Sequence, residues 1–142
     1  MSEPLLLVSA GGRRVAFRMI EVLEVRDGAA SHPVPAVLQA LRGVTPVRGR
    51  LVPLVHLGAL LSETACPSDP AETVVVADTG GRPVAFEVDS ADASPISEIL
   101  PAPSDSGLPW VRGVLKRADG WIPVLNLDVL AKRLRDDEVT PA

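Results

Sequence analysis

Tyrosine is absent from this chain, and aromatic residues make up only 3% of it. Grooves for proline-rich peptides and platforms for single-stranded nucleic acid are built from aromatic side chains, so both are poor fits. A basic excess is missing too. Lys and Arg number 14 against 18 Asp and Glu, for a net charge of −4, where a nucleic-acid binder should carry a basic surface. The single cysteine, Cys66, excludes an internal disulfide and fits a reducing compartment, so a cytoplasmic location is expected. The two histidines, His32 and His56, have no second His or Cys at ligand spacing, which argues against a metal site. No apolar run approaches the ~18 residues of a spanning helix. Leu5–Val8 stands behind Glu3 without a basic leader, so neither membrane insertion nor a signal peptide is expected.

Catalytic constellations are equally scarce. Gly-Gly-Arg at 11–13 and at 80–82 matches no phosphate-loop or dinucleotide pattern and predicts hairpin turns. Asp78, Glu87, Asp89, Asp92 and Glu98 are scattered, whereas acid–base work needs two carboxylates converging in a pocket. Cys66 has no base nearby in the sequence. No enzymatic activity and no cofactor are expected.

What is present is a repeat. Arg42–Leu61, RGVTPVRGRLVPLVHLGALL, is echoed by Arg112–Ala131, RGVLKRADGWIPVLNLDVLA, at a constant offset of 70 positions. Pro53 answers Pro123, Leu57 answers Leu127 and Leu60 answers Leu130. Upstream, Gly11–Phe17 is echoed by Gly80–Phe86 at an offset of 69. Such self-similarity marks two versions of one unit, too few for a solenoid and suited to a pseudo-symmetric pair of small barrels or sheets. Each half alone would bury too little surface to be stable, so the halves should share an interface. Hydrophobic residues make up 46% of the chain, and the core should be aliphatic.

Along the chain, alternation and turn residues predict hairpins at Leu5–Val8/Val15–Met19 and Gly43–Val47/Arg50–His56, the second turning at Arg48-Gly49. Glu21–Arg26 reads as a helical turn followed by a strand, and Val37–Leu41 as a helical turn or an extended link. Pro53 lacks a donor and should lie at an edge or a bulge. Leu57–Leu61 predicts a short helix. Ser62–Glu72, with its prolines and small residues, reads as the boundary between halves at about 5–61 and 73–134 of a single domain. The second half predicts strands at Thr73–Ala77, Val84–Val88 and Ala93–Leu100, a loop at Pro101–Pro109, and a hairpin, Val111–Arg117/Trp121–Asn126, around Asp119-Gly120. Leu127, Leu130, Ala131 and Leu134 recur with a helical period, and 136–142 should fray. Trp110 and Trp121 are expected to pack over the second barrel, with an interface anchor as the alternative role.

The run Gly43–Leu57, GVTPVRGRLVPLVHL, resembles the signature of CheW-like domains, the coupling proteins of bacterial chemosensory arrays. Phe17–Val25 is similar to the family's strand-turn-strand segment, Thr73–Asp89 to its middle hairpin, and Trp110–Leu130 to its closing segment. The resemblance runs from about Leu5 to Leu134. It implies an all-β fold of two intertwined five-stranded SH3-like barrels with short helices, strands being able to cross between barrels. It also implies a non-catalytic adaptor that bridges the cytoplasmic tip of a methyl-accepting chemoreceptor to the regulatory domain of a CheA-type histidine kinase, with other CheW-like proteins as further partners. Such a protein is cytoplasmic and recruited to receptor arrays at the membrane. The family's receptor-contacting arginine falls on Arg48, and its coupling surface on Val22, Glu24, Arg42 and Gly43. Two positions depart from the family pattern: His56 stands for the usual Asp, and Pro46 for a frequent Asn. Asp92–Ile99 matches only loosely. A divergent member that keeps one interface and modulates or localises an array is the alternative reading.

Arg48 is the residue on which a function would rest. A guanidinium offers five donors in a fixed fork, and a Gly-containing turn presents it uncovered. The competing reading is a solvated turn arginine, like Arg13 or Arg82. Glu24 is placed to orient Arg48 by an ion pair, whose role would be positioning rather than stability.

Overall fold

The computed structural model describes residues 2–34, 38–102, 109–118 and 120–138. Eleven strands and two helices follow in order: β1 (Ser2–Ala10), β2 (Arg13–Arg18), β3 (Val22–Arg26), β4 (Leu41–Val47), β5 (Arg50–His56), α1 (Leu57–Ser62), β6 (Thr73–Thr79), β7 (Arg82–Val88), β8 (Ser90–Glu98), β9 (Leu100–Pro101), β10 (Val111–Arg117), β11 (Gly120–Leu125) and α2 (Leu127–Glu138). A 3₁₀ turn at Met19–Glu21 precedes β3, so the expected turn-then-strand lies slightly upstream of where the sequence put it. The mainly β fold agrees with the sequence reading. Residues 35–37, 103–108 and 119 and the tail after 138 lie outside the described residues. With them go parts of the expected Val37–Leu41 link and Pro101–Pro109 loop, the Asp119 turn and most of the expected fraying. Residues 136–138, expected to fray, continue α2.

The strands form two sheets, ordered β8-β1-β2-β11-β10-β9 and β3-β6-β7-β5-β4. In each, a hairpin from one half is inserted between strands of the other half. The two seams are the same contact with the halves exchanged. Leu54 on β5 pairs in parallel with Ala85 on β7, and Val124 on β11 pairs in parallel with Ala16 on β2. Leu54 and Val124 are repeat equivalents, as are Ala16 and Ala85. Bulges repeat as well, between Leu41 and Gly43 on β4 and between Val111 and Gly113 on β10.

One sheet carries a sixth strand beyond the expected five. Two-residue β9 pairs with Gly113 and Val114. Its first-half counterpart is a single bridge, in which His32 and Val44 exchange N–H···O=C bonds of 2.9 Å. Both additions depend on glycine. A Cβ on Gly43 would come 2.4 Å from the His32 carbonyl oxygen, and one on Gly113 would come 2.7 Å from that of Leu100. Only a residue without a side chain lets the outer backbone approach so closely.

Three apolar clusters follow from this layout. The largest lies between the sheets and includes Phe17, Phe86, Leu57, Leu60, Leu127, Leu130 and Trp110. Phe17 and Phe86, repeat equivalents, meet with ring centroids 5.6 Å apart, tilted by 57°. Val47, Val52, Leu54, Val74, Val76 and Ala85 fill one barrel. Leu5, Ala16, Leu115, Ile122 and Val124 fill the other. Trp110 is buried as expected, but Trp121 is not: it is 58% exposed, with the Lys116 ammonium 5.8 Å from its ring centroid. It is the second residue of β11, at the exposed start of that strand beside the turn.

Pro53 needs a correction. It is neither on an edge strand nor at a bulge, since β5 lies between β4 and β7. It pairs with Val44 on one side. On the other side the β5–β7 ladder covers only Leu54–His56 against Ala85–Glu87. Pro53 and Pro83, having no N–H, stand where that ladder stops.

Candidate functional site

The β4–β5 turn presents Arg48. Arg48 and Gly49 have φ of 50° and 79°, both left-handed, as a tight two-residue hairpin turn requires. Gly49 adopts this freely, but an arginine there costs of order 1–2 kcal/mol of backbone energy. The other two hairpins of this kind turn on Gly11-Gly12 and Gly80-Gly81 and avoid that cost. The Arg48 side chain is 72% exposed, and its Nε lies 4.0 Å from Glu24 Oε1.

Glu24 reaches this position from β3, the opposite edge of the same sheet. Arg26 brings the edges together. Its Nη2 donates to Glu24 Oε1 at 2.9 Å and its Nη1 donates to the Pro46 carbonyl at 3.2 Å, closing β3 onto β4. Glu24 thus accepts its short bond from Arg26, with Arg48 at the margin of ion-pair distance. Arg26 was missed in the sequence, where its spacing of two from Glu24 on a strand was the available signal. Val22 opens β3 opposite Ala77 and packs half-buried against the inter-sheet core. Ile20, Leu23 and Val25, on the same segment, are exposed apolar side chains, unusual for three so close in sequence.

Arg42 and Gly43 lie at the β4 bulge, away from the turn in sequence. The Arg42 side chain is 12% exposed and Glu87 only 2%. Arg42 Nε donates to both Glu87 oxygens at 2.8 Å, and its Nη2 donates to the Asp69 carbonyl at 3.1 Å. Arg42 is therefore turned inward and ties the segment between the halves to β7. Gly43 is committed to the His32 approach described above. Of the five residues singled out, the structure brings Arg48 and Glu24 together, sets Val22 on Glu24's strand, and gives Arg42 and Gly43 partners of their own.

His56 caps α1: its Nδ1 accepts the Ala59 N–H at 3.0 Å. Its counterpart Asn126 does the same for α2, accepting the Val129 N–H through Oδ1 at 3.3 Å. Burial pulls the His56 imidazole below its usual range and Arg42 adds to this, while Glu87 and Asp89 oppose it. Only an unprotonated Nδ1 can accept the bond. The Cys66 thiol is pushed up by burial, away from thiolate reactivity. Among the described residues no group of three or more His, Cys, Asp or Glu is placed to hold a metal, and no helix is long and apolar enough to cross a membrane.

Two SH3-like barrels with exchanged strands and an arginine-tipped hairpin define a class, the double-barrel domain. Comparison with known proteins narrows it. Residues 4–135 match the CheW-like domain, and the chain belongs to that family. Over 130 residues it is 28% identical to the chemotaxis protein CheW of Rhizobium meliloti (strain 1021), covering 87% of this chain and 84% of that protein. The fold is shared with the scaffolding protein TtCheW from Thermoanaerobacter tengcongensis, with a TM-score of 0.78, 20% sequence identity and 92% of each chain covered.

Proposed function

We propose that the protein is a non-catalytic adaptor that couples chemoreceptors to a CheA-type histidine kinase in a bacterial chemosensory array. The observation that carries this reading is Arg48, an exposed guanidinium kept on a left-handed turn residue. Strain of this kind is retained where the side chain has work to do. The fork of Arg48 grips a carboxylate or carbonyl edge on the receptor tip, and the Arg26–Glu24 pair sets the edge from which it projects. Val22 and the exposed β3 residues supply apolar area beside it. Each contact is modest, and repetition across an array supplies avidity. The protein acts in the cytoplasm, at arrays held by membrane receptors. Its seat on the kinase is a barrel of the regulatory domain.

The test is binding of the purified protein to a receptor cytoplasmic tip and, separately, to the kinase regulatory domain. Arg48→Ala should weaken receptor-tip binding about tenfold or more, or ~1.4 kcal/mol, and leave kinase binding within about twofold. Receptor binding that survives Arg48→Ala unchanged overturns the assignment of Arg48. Absence of kinase binding overturns the coupling role and leaves a one-sided array component.

A further inference from the structure

Where the β5–β7 ladder stops, the two parallel strands leave an open cleft of about 270 Å³ roofed on one side by α2. Continued upstream from Leu54–Ala85, the register would set Pro53 and Pro83 at the seam, and neither can donate. Val52, Val84 and Leu134 form an apolar floor and wall, each buried, while Leu51 at the lip is 67% exposed. Arg50 and Arg82 stand at the mouth, both exposed. Neither makes an ion pair within the described residues. Asp78, across the same hairpin as Arg82, accepts the Gly81 N–H through Oδ1 at 2.9 Å.

We propose that this cleft is a second docking site, distinct from the Arg48 surface, for a short acidic and apolar peptide segment of a partner in extended conformation. Two guanidiniums without an ion pair among the described residues flank an apolar floor on a molecule whose net charge is −4, so the cleft selects carboxylates against the molecule's own field. The shape argument is the seam. No pairing is formed across the gap upstream of Leu54 and Ala85, so an extended segment can lie between the strands, with alternate side chains on the apolar floor and toward the arginines. The same seam in the other barrel differs in its walls. Arg50 and Leu51 are there replaced by Gly120 and Trp121, and α1 ends at Ser62, short of the residue matching Leu134. The site therefore belongs to one barrel only.

The probe is a fluorescein-labelled peptide, Gly-Glu-Val-Glu-Leu-Glu-Gly, titrated with the whole protein by anisotropy. Two control peptides replace Glu by Lys, or Val and Leu by Ser. The acidic apolar peptide should bind, and both controls should bind about tenfold more weakly or not at all. The double variant Arg50→Glu/Arg82→Glu, on exposed positions and checked for fold by circular dichroism, should lose the binding, whereas Arg48→Ala should keep it within about twofold. Methyl resonances of Val52, Val84 and Leu134 should shift on titration. No binding of the acidic peptide, equal binding of the Lys peptide, or binding that survives the double charge reversal overturns the proposal. So does a concentration-dependent dimer lost in the double variant, which would seat a second copy in the cleft, or preference for a helical acidic peptide.

Discussion

Arg48 combines an unfavourable backbone with an exposed side chain, and the two can be separated. Asn tolerates the left-handed region and forms the preferred Asn-Gly turn. Arg48→Asn should stabilise the fold by about 1 kcal/mol in urea denaturation while weakening receptor-tip binding. A solvated turn arginine without a partner would show the first change and not the second. His56 offers a test of another kind. Its imidazole is held neutral in the fold, largely by burial, so the folded state takes up a proton at lower pH than the unfolded chain does. The stability that this supplies is fully present above the unfolded value of about 6.5 and is lost as pH falls from there through the folded value. His56→Asn, which copies the cap at Asn126, should keep α1 and flatten the stability–pH curve just below pH ~6.5. A slope unchanged in that variant would assign the titration elsewhere.

At the level of elements, the β4 bulge is held by charge as well as by glycine. Arg42 and Glu87 form a nearly buried pair, and removal of one partner from such a pair strands the other charge at a cost of about 3–5 kcal/mol. Arg42→Met should therefore destabilise by about 3 kcal/mol, and Arg42→Met/Glu87→Met should recover most of it, by chemical denaturation. A double variant as unstable as the single one would mean that the Asp69 contact, not the pair, is what matters. Among the described residues the equivalent pair is missing from the other barrel. The position matching Glu87 is Arg18, which instead bonds Glu3 at 2.7 Å, so pseudo-symmetry of backbone does not extend to charge. That difference explains what could be read from the residues alone. Hairpins at Gly11-Gly12, Arg48-Gly49 and Gly80-Gly81 were legible because turn residues act locally. The Arg42–Glu87 and Arg26–Pro46 links were not, because they join residues 45 and 20 positions apart across the barrel wall. Pro53 misled for the same reason: its missing donor was visible, but not the strand that would have used it. Arg48 was legible as a turn residue and Glu24 as its neighbour through family resemblance. The cleft beside Pro53 and Pro83 had no sequence signature, since its walls come from strands and a helix far apart in the chain.

For the whole molecule, the repeat predicted two related units with a shared interface; each sheet draws strands from both halves, and the largest apolar core lies between the sheets. Phe17 and Phe86 meet near its middle. Phe86→Ala should cost about 3–5 kcal/mol and should collapse both sheets in a single transition, as one shared core requires. Hydrogen exchange would check this, and loss of protection in one sheet alone would show that the barrels unfold separately. The strand exchange also governs the order in which the protein can be completed during synthesis. Of the described strands β1 and β2 are made before the rest, yet their neighbours β8 and β11 follow about seventy and about a hundred residues later in the chain. At about 5–20 residues per second the hairpin waits roughly 5–20 s until both its flanks can be paired. The other sheet can close as soon as β7 has emerged. The nascent chain thus assembles the β3-β6-β7-β5-β4 sheet before the other, and β1 and β2, though made before the other described strands, are among the last to find their place.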